Sequence, residues 1–192
     1  MGLFFAIFVI IMIEQRKLLT KDEISVTIER LCQQLIENHD NFNNTIIVGV
    51  QPRGSLLSNR IISKLQSKIK KKKIESGNID ISFYRDDLRR RDSPIVPEAM
   101  DMNVSVEGKD VVLIDDVLYT GRSIRSALDA LMTFGRPRSV ELLTLINRRF
   151  SRHLPIEPNY VGRTIDILET EKVIVEWQEI SGNDRVLMVK SN

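Results

Sequence analysis

Residues 111–123, VVLIDDVLYTGRS, pass from an apolar run into two adjacent carboxylates and then into a short turn rich in hydroxyls. A continuous β-branched run of this kind suits a strand buried in a parallel sheet. Asp115 and Asp116 then close the strand, and Thr120, Gly121, Arg122 and Ser123 open the helix after it. The first N–H groups of a helix lack intrahelical partners and lie at the positive end of its dipole, so this turn favours an anion. Gly121 lets a phosphate approach the backbone closely. Two carboxylates beside such a cradle can accept hydrogen bonds from both hydroxyls of a vicinal diol. Carboxylates and cradle within one sugar's reach describe a site for ribose 5-phosphate.

A second strand-turn-helix unit precedes it. TIIVGV, residues 45–50, reads as a buried strand, and RGSLLSNRIISKLQSKIKKKK behind it has helical period. Arg53 is the cation of the turn between them, its fork able to make paired bonds to a diphosphate, and Gly54 keeps the approach open.

The elements that must position these groups follow in order. An amphipathic helix opens with Thr20 as N-cap and Glu23 completing a capping box. IDISFYR alternates as a third strand, VVLID is the fourth, GRSIRSALDALMTFG is a helix closed by Gly135, and VELLTLIN is a further strand. KVIVEW and RVLMV form a closing pair or edge. The order β-α-β-loop-β-α-β predicts an α/β fold, a mainly parallel doubly wound sheet with flanking helices and ligands at the carboxyl ends of its strands. The charged, proline-interrupted segment DDLRRRDSPIVPEAMDMNVSVEGKD is long enough to be a lid.

The whole string of apolar strand, Asp-Asp, two further positions and Thr-Gly-basic-Ser resembles the phosphoribosyl pyrophosphate (PRPP) motif of type I phosphoribosyltransferases. DISFYRDDL, VLIDDVLYTGRSIRSALDALMTFGRP and LPIEPNYVG narrow the resemblance to the PyrR family, pyrimidine-operon regulators that are also uracil phosphoribosyltransferases. It runs from about Met12 to the end of the chain and implies the type I phosphoribosyltransferase fold. It also implies that Asp115 and Asp116 hold the ribose hydroxyls. Val117, Leu118, Tyr119, Thr120, Gly121, Arg122 and Ser123 would line the 5-phosphate turn, and Pro52, Arg53 and Gly54 the diphosphate. A cis peptide before the basic residue is a feature of the family, here Pro52–Arg53, with Pro52 where a Thr is common. Tyr84, Arg85, Asp86 and Asp87 would begin a flexible hood over the substrates. Asn147, Tyr160 and Val161 would meet the base, although PyrR proteins usually carry Asp at the position of Asn147. Tyr119 stands where purine-using relatives have a carboxylate, and a tyrosine is a poor proton acceptor at neutral pH, which favours a pyrimidine. The implied substrates and products are PRPP, uracil, UMP and diphosphate. Mg²⁺ would be carried mainly by PRPP, with no direct protein cluster for it, and the implied assembly is a homodimer or higher homo-oligomer.

Regulatory members of the family bind leader RNA through a basic face. Arg148, Arg149, Arg152 and His153 share one loop with Phe150, which is available for stacking. In the first helix only Arg30 matches the RNA-binding pattern, Glu29 adds negative charge, and Gln33 replaces a His. The loop after Asn147 also departs from the familiar DRGHRELP. The lysine tract KLQSKIKKKK reads as a solvated helix end.

The balance of the chain is consistent with this. It has 192 residues, a net charge of +2 and 42% hydrophobic residues, which fits one domain with its own core and no global nucleic-acid signature. A single cysteine, Cys32, excludes an internal disulfide or a cysteine zinc site and reads as a small buried hydrophobe of a cytoplasmic protein. Residues 1–11 are apolar but too short to span a membrane, and Met12 opens a plausible start, so 1–11 read as an upstream extension and 12–192 as one phosphoribosyltransferase domain.

Overall fold

The structure is a computed structural model that describes residues 15–69, 73–86, 102, 104–168 and 170–190. The expectation for residues 1–11, the lysines at 70–72 and Asp87 of the hood lie outside the described residues.

The described elements are β1 (Gln15–Leu19), α1 (Lys21–His39), β2 (Thr45–Val50), α2 (Arg53–Lys68), β3 (Glu75–Ile79), β4 (Asp110–Leu118), α3 (Arg122–Leu131), a 3-10 turn (Met132–Phe134), β5 (Ser139–Arg148), β6 (Tyr160–Ile165), β7 (Glu171–Glu176), α4 (Gln178–Ser181) and β8 (Arg185–Lys190). A five-stranded sheet in the order β3-β2-β4-β5-β6 is parallel at each pairing. A three-stranded antiparallel sheet, β1-β8-β7, stands beside it.

Strand alternation sorts the core into two layers. Ile47, Val112, Ile114, Leu143 and Leu145 face α1 and α2 and the small sheet, whose Val175, Trp177 and Val186 join that layer. Ile46, Val48, Val50, Val111 and Leu113 face the other way, against Ile124, Ala127 and Leu131 of α3. Helices therefore cover both faces, as an all-parallel sheet requires. Residues that bury both faces of a strand read as unbroken apolar runs, which is why β2 and β4 stand out in the sequence.

Several boundaries differ from expectation for local reasons. The third strand is Glu75–Ile79 rather than IDISFYR, because Asp80 turns the chain out of the ladder: its Oδ1 accepts from the Ser82 N–H at 2.7 Å, and the Tyr84 N–H donates to the Ile81 carbonyl. β4 does not stop at the carboxylates. It continues to Leu118, because Val117 and Leu118 still pair with Ile146 and Asn147 of β5. α3 ends at Leu131, and Gly135, at φ 130°, closes the 3-10 turn instead. β1 and β6 were not expected as strands. β1 is mostly exposed and pairs only along β8, so its sequence carries little apolar signal.

The capping box is present as read, with Thr20 N–H donating to Glu23 Oε2 and Glu23 N–H to Thr20 Oγ1. Cys32 is fully buried, and burial pushes its thiol up to about 11. Arg60 ties the small sheet to α2: it is paired with Glu179 and Asp184 at 2.7 Å each and lies over the Trp177 ring. Lys64 and Lys68 at the start of the lysine tract are both paired with Glu29 of α1.

Candidate functional site

At the carboxyl edge of the parallel sheet, a cavity of about 560 Å³ is lined by Asp115 and Val117–Ser123, and Arg85 and Asp86 line it too. Asp115 and Asp116 are 8% and 7% exposed, so two carboxylates stand next to each other almost out of water. The Asp116 N–H donates to Asp115 Oδ1 at 2.9 Å, while Asp116 Oδ2 is buried with no hydrogen-bond partner. Burial pushes the Asp115 carboxyl well above its ordinary range, the Asp116 charge adds to this, and Arg53 opposes it. Asp116 is also raised by burial, with Arg53 the largest opposing influence. An orphaned acceptor in such a place calls for an incoming donor or positive charge. Sugar hydroxyls, or a sugar carbon that becomes cationic, provide one.

Arg53 stands where α2 begins, and Gly54 sets that position. A Cβ at Gly54 would lie 2.4 Å from the Ile114 carbonyl oxygen and 3.0 Å from Asp115 Cα, so only glycine lets the helix start touch β4 beside the carboxylates. The cis peptide in this turn is Gln51–Pro52, not Pro52–Arg53. The shift of one residue puts it at a tertiary amide, where the trans preference is small.

The second cradle is built around Gly121, at φ 88°, directly before α3. Gly121, the N-cap, has no side chain to offer, and Thr120 Oγ1 accepts from the Arg122 N–H at 3.4 Å. Arg122, at its first position, is ion-paired with Asp86, so the base of the expected hood and the phosphate turn share a cation. The Tyr84 carbonyl accepts from Ser126 Oγ at 3.0 Å and from Arg125 at 3.4 Å, which anchors the same segment to α3.

Thr144 is a residue that reading by motif missed. Its hydroxyl accepts from the Leu118 N–H at 3.1 Å and donates to the Ile146 carbonyl at 2.9 Å, which ties β5 to the end of β4 behind the carboxylates. A lone hydroxyl inside the apolar string VELLTLIN was the available signal.

The base-side and RNA-side expectations are redistributed by the structure. Asn147 does stand at the carboxyl edge, paired with Leu118 and 8% exposed. Tyr160 and Val161 do not: they enter β6 opposite Leu143 and Thr144, several residues back from that edge. Tyr160 is buried, its hydroxyl donating to Glu141 Oε2 at 2.6 Å and accepting from Asn38 at 2.9 Å, so it closes a polar cluster with His39 rather than presenting a ring to a ligand. Burial, with Glu141 assisting, pushes that hydroxyl up to about 12. The Val161 carbonyl accepts from Arg30, which also reaches Gly162, so Arg30 pins α1 to β6 instead of standing free for RNA.

Two arginines of the basic loop likewise turn inward. Arg148 is 3% exposed and its guanidinium lies 3.7 Å from the centre of the Tyr119 ring, with a bond to the Leu168 carbonyl. Arg152 is folded onto backbone carbonyls. Arg152 is satisfied by carbonyls brought near it by the fold, whereas Arg148 keeps its Nε buried without a partner, and counts of charge along the sequence register neither. Arg149 stays outside but is paired bidentately with Asp166, and His153 and Phe150 are exposed. The continuous basic face expected here is therefore reduced to a few groups.

Among the described residues no group of three or more His, Cys, Asp or Glu side chains is arranged to hold a metal, and no helix is long and apolar enough to cross a membrane.

Comparison with known proteins agrees with the arrangement of strand, paired carboxylates and anion turn. The phosphoribosyl transferase domain family matches residues 14–179. Bifunctional protein PyrR of Microcystis aeruginosa is 42% identical over 174 residues, 91% of this chain and 97% of that protein. The protein of the same name from Bacillus subtilis is 37% identical over 177 residues, 91% of this chain and 96% of its own length. Among solved structures, the hypoxanthine phosphoribosyltransferase of Trypanosoma cruzi superposes with a TM-score of 0.69 at 16% identity, covering 92% of this chain and 97% of that one. That likeness concerns the fold. With the family match spanning the carboxylates and both turns, and relatives of this similarity aligned over nearly the whole chain, the protein belongs to the phosphoribosyltransferases and, within them, to the PyrR family.

Proposed function

We propose that the chain transfers the 5-phosphoribosyl group of PRPP to uracil, giving UMP and diphosphate. The observation that carries this reading is the buried Asp115–Asp116 pair, with its unpartnered oxygen, beside the glycine-opened start of α3. In this reading the carboxylates accept from the ribose hydroxyls and the Thr120–Ser123 turn receives the 5-phosphate. As the bond from C1 to diphosphate breaks and the bond to a ring nitrogen of uracil forms, that nitrogen giving up its proton to solvent or to the departing diphosphate, positive charge develops on the sugar. Asp115 on the cavity wall, with Asp116 buried beside it, would hold fixed negative charge close to the sugar, and such preorganised charge stabilises it more than water would. Arg53 at the start of α2 faces the leaving diphosphate. The residues described fit Mg²⁺ arriving with the substrate: the carboxylate oxygens of Asp115 and Asp116 are hard donors of the kind it prefers, and Mg²⁺ commonly keeps water and phosphate oxygens as ligands. When bound, it neutralises charge on the diphosphate.

A panel assay tests the reading. With PRPP and Mg²⁺, uracil is converted to UMP, and EDTA abolishes the turnover. Conversion of hypoxanthine or guanine in place of uracil would move the chain to the purine class.

The bifunctional name of the PyrR relatives supports a second activity, UMP-dependent binding to the leader RNA of pyrimidine genes. Because Arg30, Arg148 and Arg152 are engaged within the fold, few phosphate contacts remain and the salt dependence of binding should be shallow. A gel-shift titration at low salt should give UMP-enhanced binding, weakening by less than about tenfold per doubling of salt for a handful of contacts. Absence of binding to any such leader at low salt rejects this activity.

A further inference from the structure

Arg152 has no part in the transfer described above, yet its guanidinium gathers oxygens from two walls of the site. Nε donates to the Ile156 carbonyl at 2.9 Å. Nη1 donates to the carbonyls of Arg148 at 3.1 Å, Leu118 at 3.4 Å and Tyr119, and Nη2 to Asn147 Oδ1. An arginine can only donate, so the amide oxygen of Asn147 must face it, and the Asn147 amide nitrogen, a donor, faces away. The next carbonyl along, that of Thr120, accepts from the N–H groups of His153 and Leu154 at 3.0 and 3.2 Å.

The carbonyls of Leu118, Tyr119 and Thr120 are thus all held on the side of the 148–156 loop. In a planar trans peptide the N–H points opposite to the C=O it is joined with. Fixing these three carbonyls therefore directs the N–H groups of Tyr119, Thr120 and Gly121 to the other side, where the cavity lies. An incoming phosphate meets those donors as it approaches α3. The Arg152 side chain is 16% exposed, so its bonds are largely shielded from water.

We propose that Arg152 is a positioning residue for the phosphate turn: it holds the carbonyls outward so that the amides face the ligand, and it ties Asn147 to the same turn. This rests on the reading of that turn as the 5-phosphate site. It predicts a selective defect. The diphosphate end is placed by the start of α2, which Arg152 does not touch, whereas a loosened turn weakens every ligand that carries the ribose phosphate.

Calorimetric titration of wild type, Arg152→Met and Arg152→Lys with ribose 5-phosphate and with magnesium diphosphate tests this, alongside thermal unfolding of each. Arg152→Met should bind ribose 5-phosphate about 10- to 100-fold more weakly while its affinity for diphosphate changes less than about threefold, as expected when charge-assisted bonds are lost at one end only. The KM for PRPP should rise by a similar factor. Arg152→Lys should recover part of the loss, since one ammonium cannot bridge this set of oxygens. Should Arg152→Met fail to fold, Arg152→Lys carries the comparison with a smaller defect of the same selectivity. Equal weakening of both ligands, or unchanged affinity for ribose 5-phosphate in the folded variants, overturns the inference. A wild-type protein that binds diphosphate but no ribose 5-phosphate would overturn the underlying site assignment instead.

Discussion

Replacing Asp115 or Asp116 by Asn should lower kcat/KM for PRPP about 10²- to 10³-fold, the range for loss of a group that stabilises transition-state charge, and yet raise the melting temperature at pH 8. The two effects have one cause. Each carboxylate is buried, and in Asp115 burial and the neighbouring charge both favour the protonated form. A carboxyl whose pKa is raised on folding contributes its full stability below its unfolded pKa and loses that contribution as pH rises through the folded value. Wild-type protein therefore loses stability relative to Asp115→Asn as pH climbs from the ordinary 3.8 toward the raised value. Asn keeps the oxygen that accepts from the Asp116 N–H, so the local backbone bond survives the exchange. Melting curves from pH 4 to 8 check this: the advantage of Asp115→Asn should grow with pH, and PRPP should narrow it by supplying hydroxyl donors to the wild-type carboxylates. A variant that melts lower than wild type at pH 8 would show that the charged pair is not strained by its burial.

Burying adjacent carboxylates costs stability, which the Arg53 charge offsets in part, and under the proposed reading the ribose hydroxyls offset more of it. The parallel sheet makes the arrangement possible, because β4 is covered on both faces and so keeps the carboxylates near its end buried.

The parts of this site that were legible in the sequence are those whose physics is local. Val111 to Ser123 form one continuous strand-turn-helix, so composition and spacing over 13 residues specify where the carboxylates and the anion turn must lie. The same holds for Thr20 with Glu23, and for the buried runs of β2 and β4. What escaped depends on partners distant in the chain. Arg152 and Arg148 looked like an exposed basic loop, and what turns them inward is carbonyls and a ring near residues 118–119, about 30 positions earlier. Tyr160 follows the same rule: PNYVG resembles a ligand-facing turn, but Glu141 and Asn38 draw its hydroxyl into a cluster at the back of the sheet. Asp80 misled in the other direction, since an alternating pattern predicts a strand and a single side-chain-to-backbone bond ends it.

Gly54→Ala tests how the diphosphate end is assembled. The added methyl would sit 2.4 Å from the Ile114 carbonyl oxygen and 3.0 Å from Asp115 Cα, both backbone atoms of the central strand. Neither can yield as a flexible side chain would, because β4 is held by β2 on one side and β5 on the other. The start of α2 must move instead, carrying Arg53 away from the carboxylates. Overpacking of this kind costs about 1–3 kcal/mol, and a shift of about 1 Å in a positioned group can cost about 10²-fold in rate. Gly54→Ala is therefore expected to lose at least that factor in turnover, with a rise in the Kd for magnesium diphosphate and a smaller rise for ribose 5-phosphate. Gly108→Ala is the matching control: its Cβ meets nothing within 4 Å, so it carries only the strain of a φ of +67°. It should lose some stability and keep its activity. If Gly54→Ala were as active as Gly108→Ala, the contact between the α2 start and β4 would not be what places Arg53, and the diphosphate end of the site would have to be built from other residues.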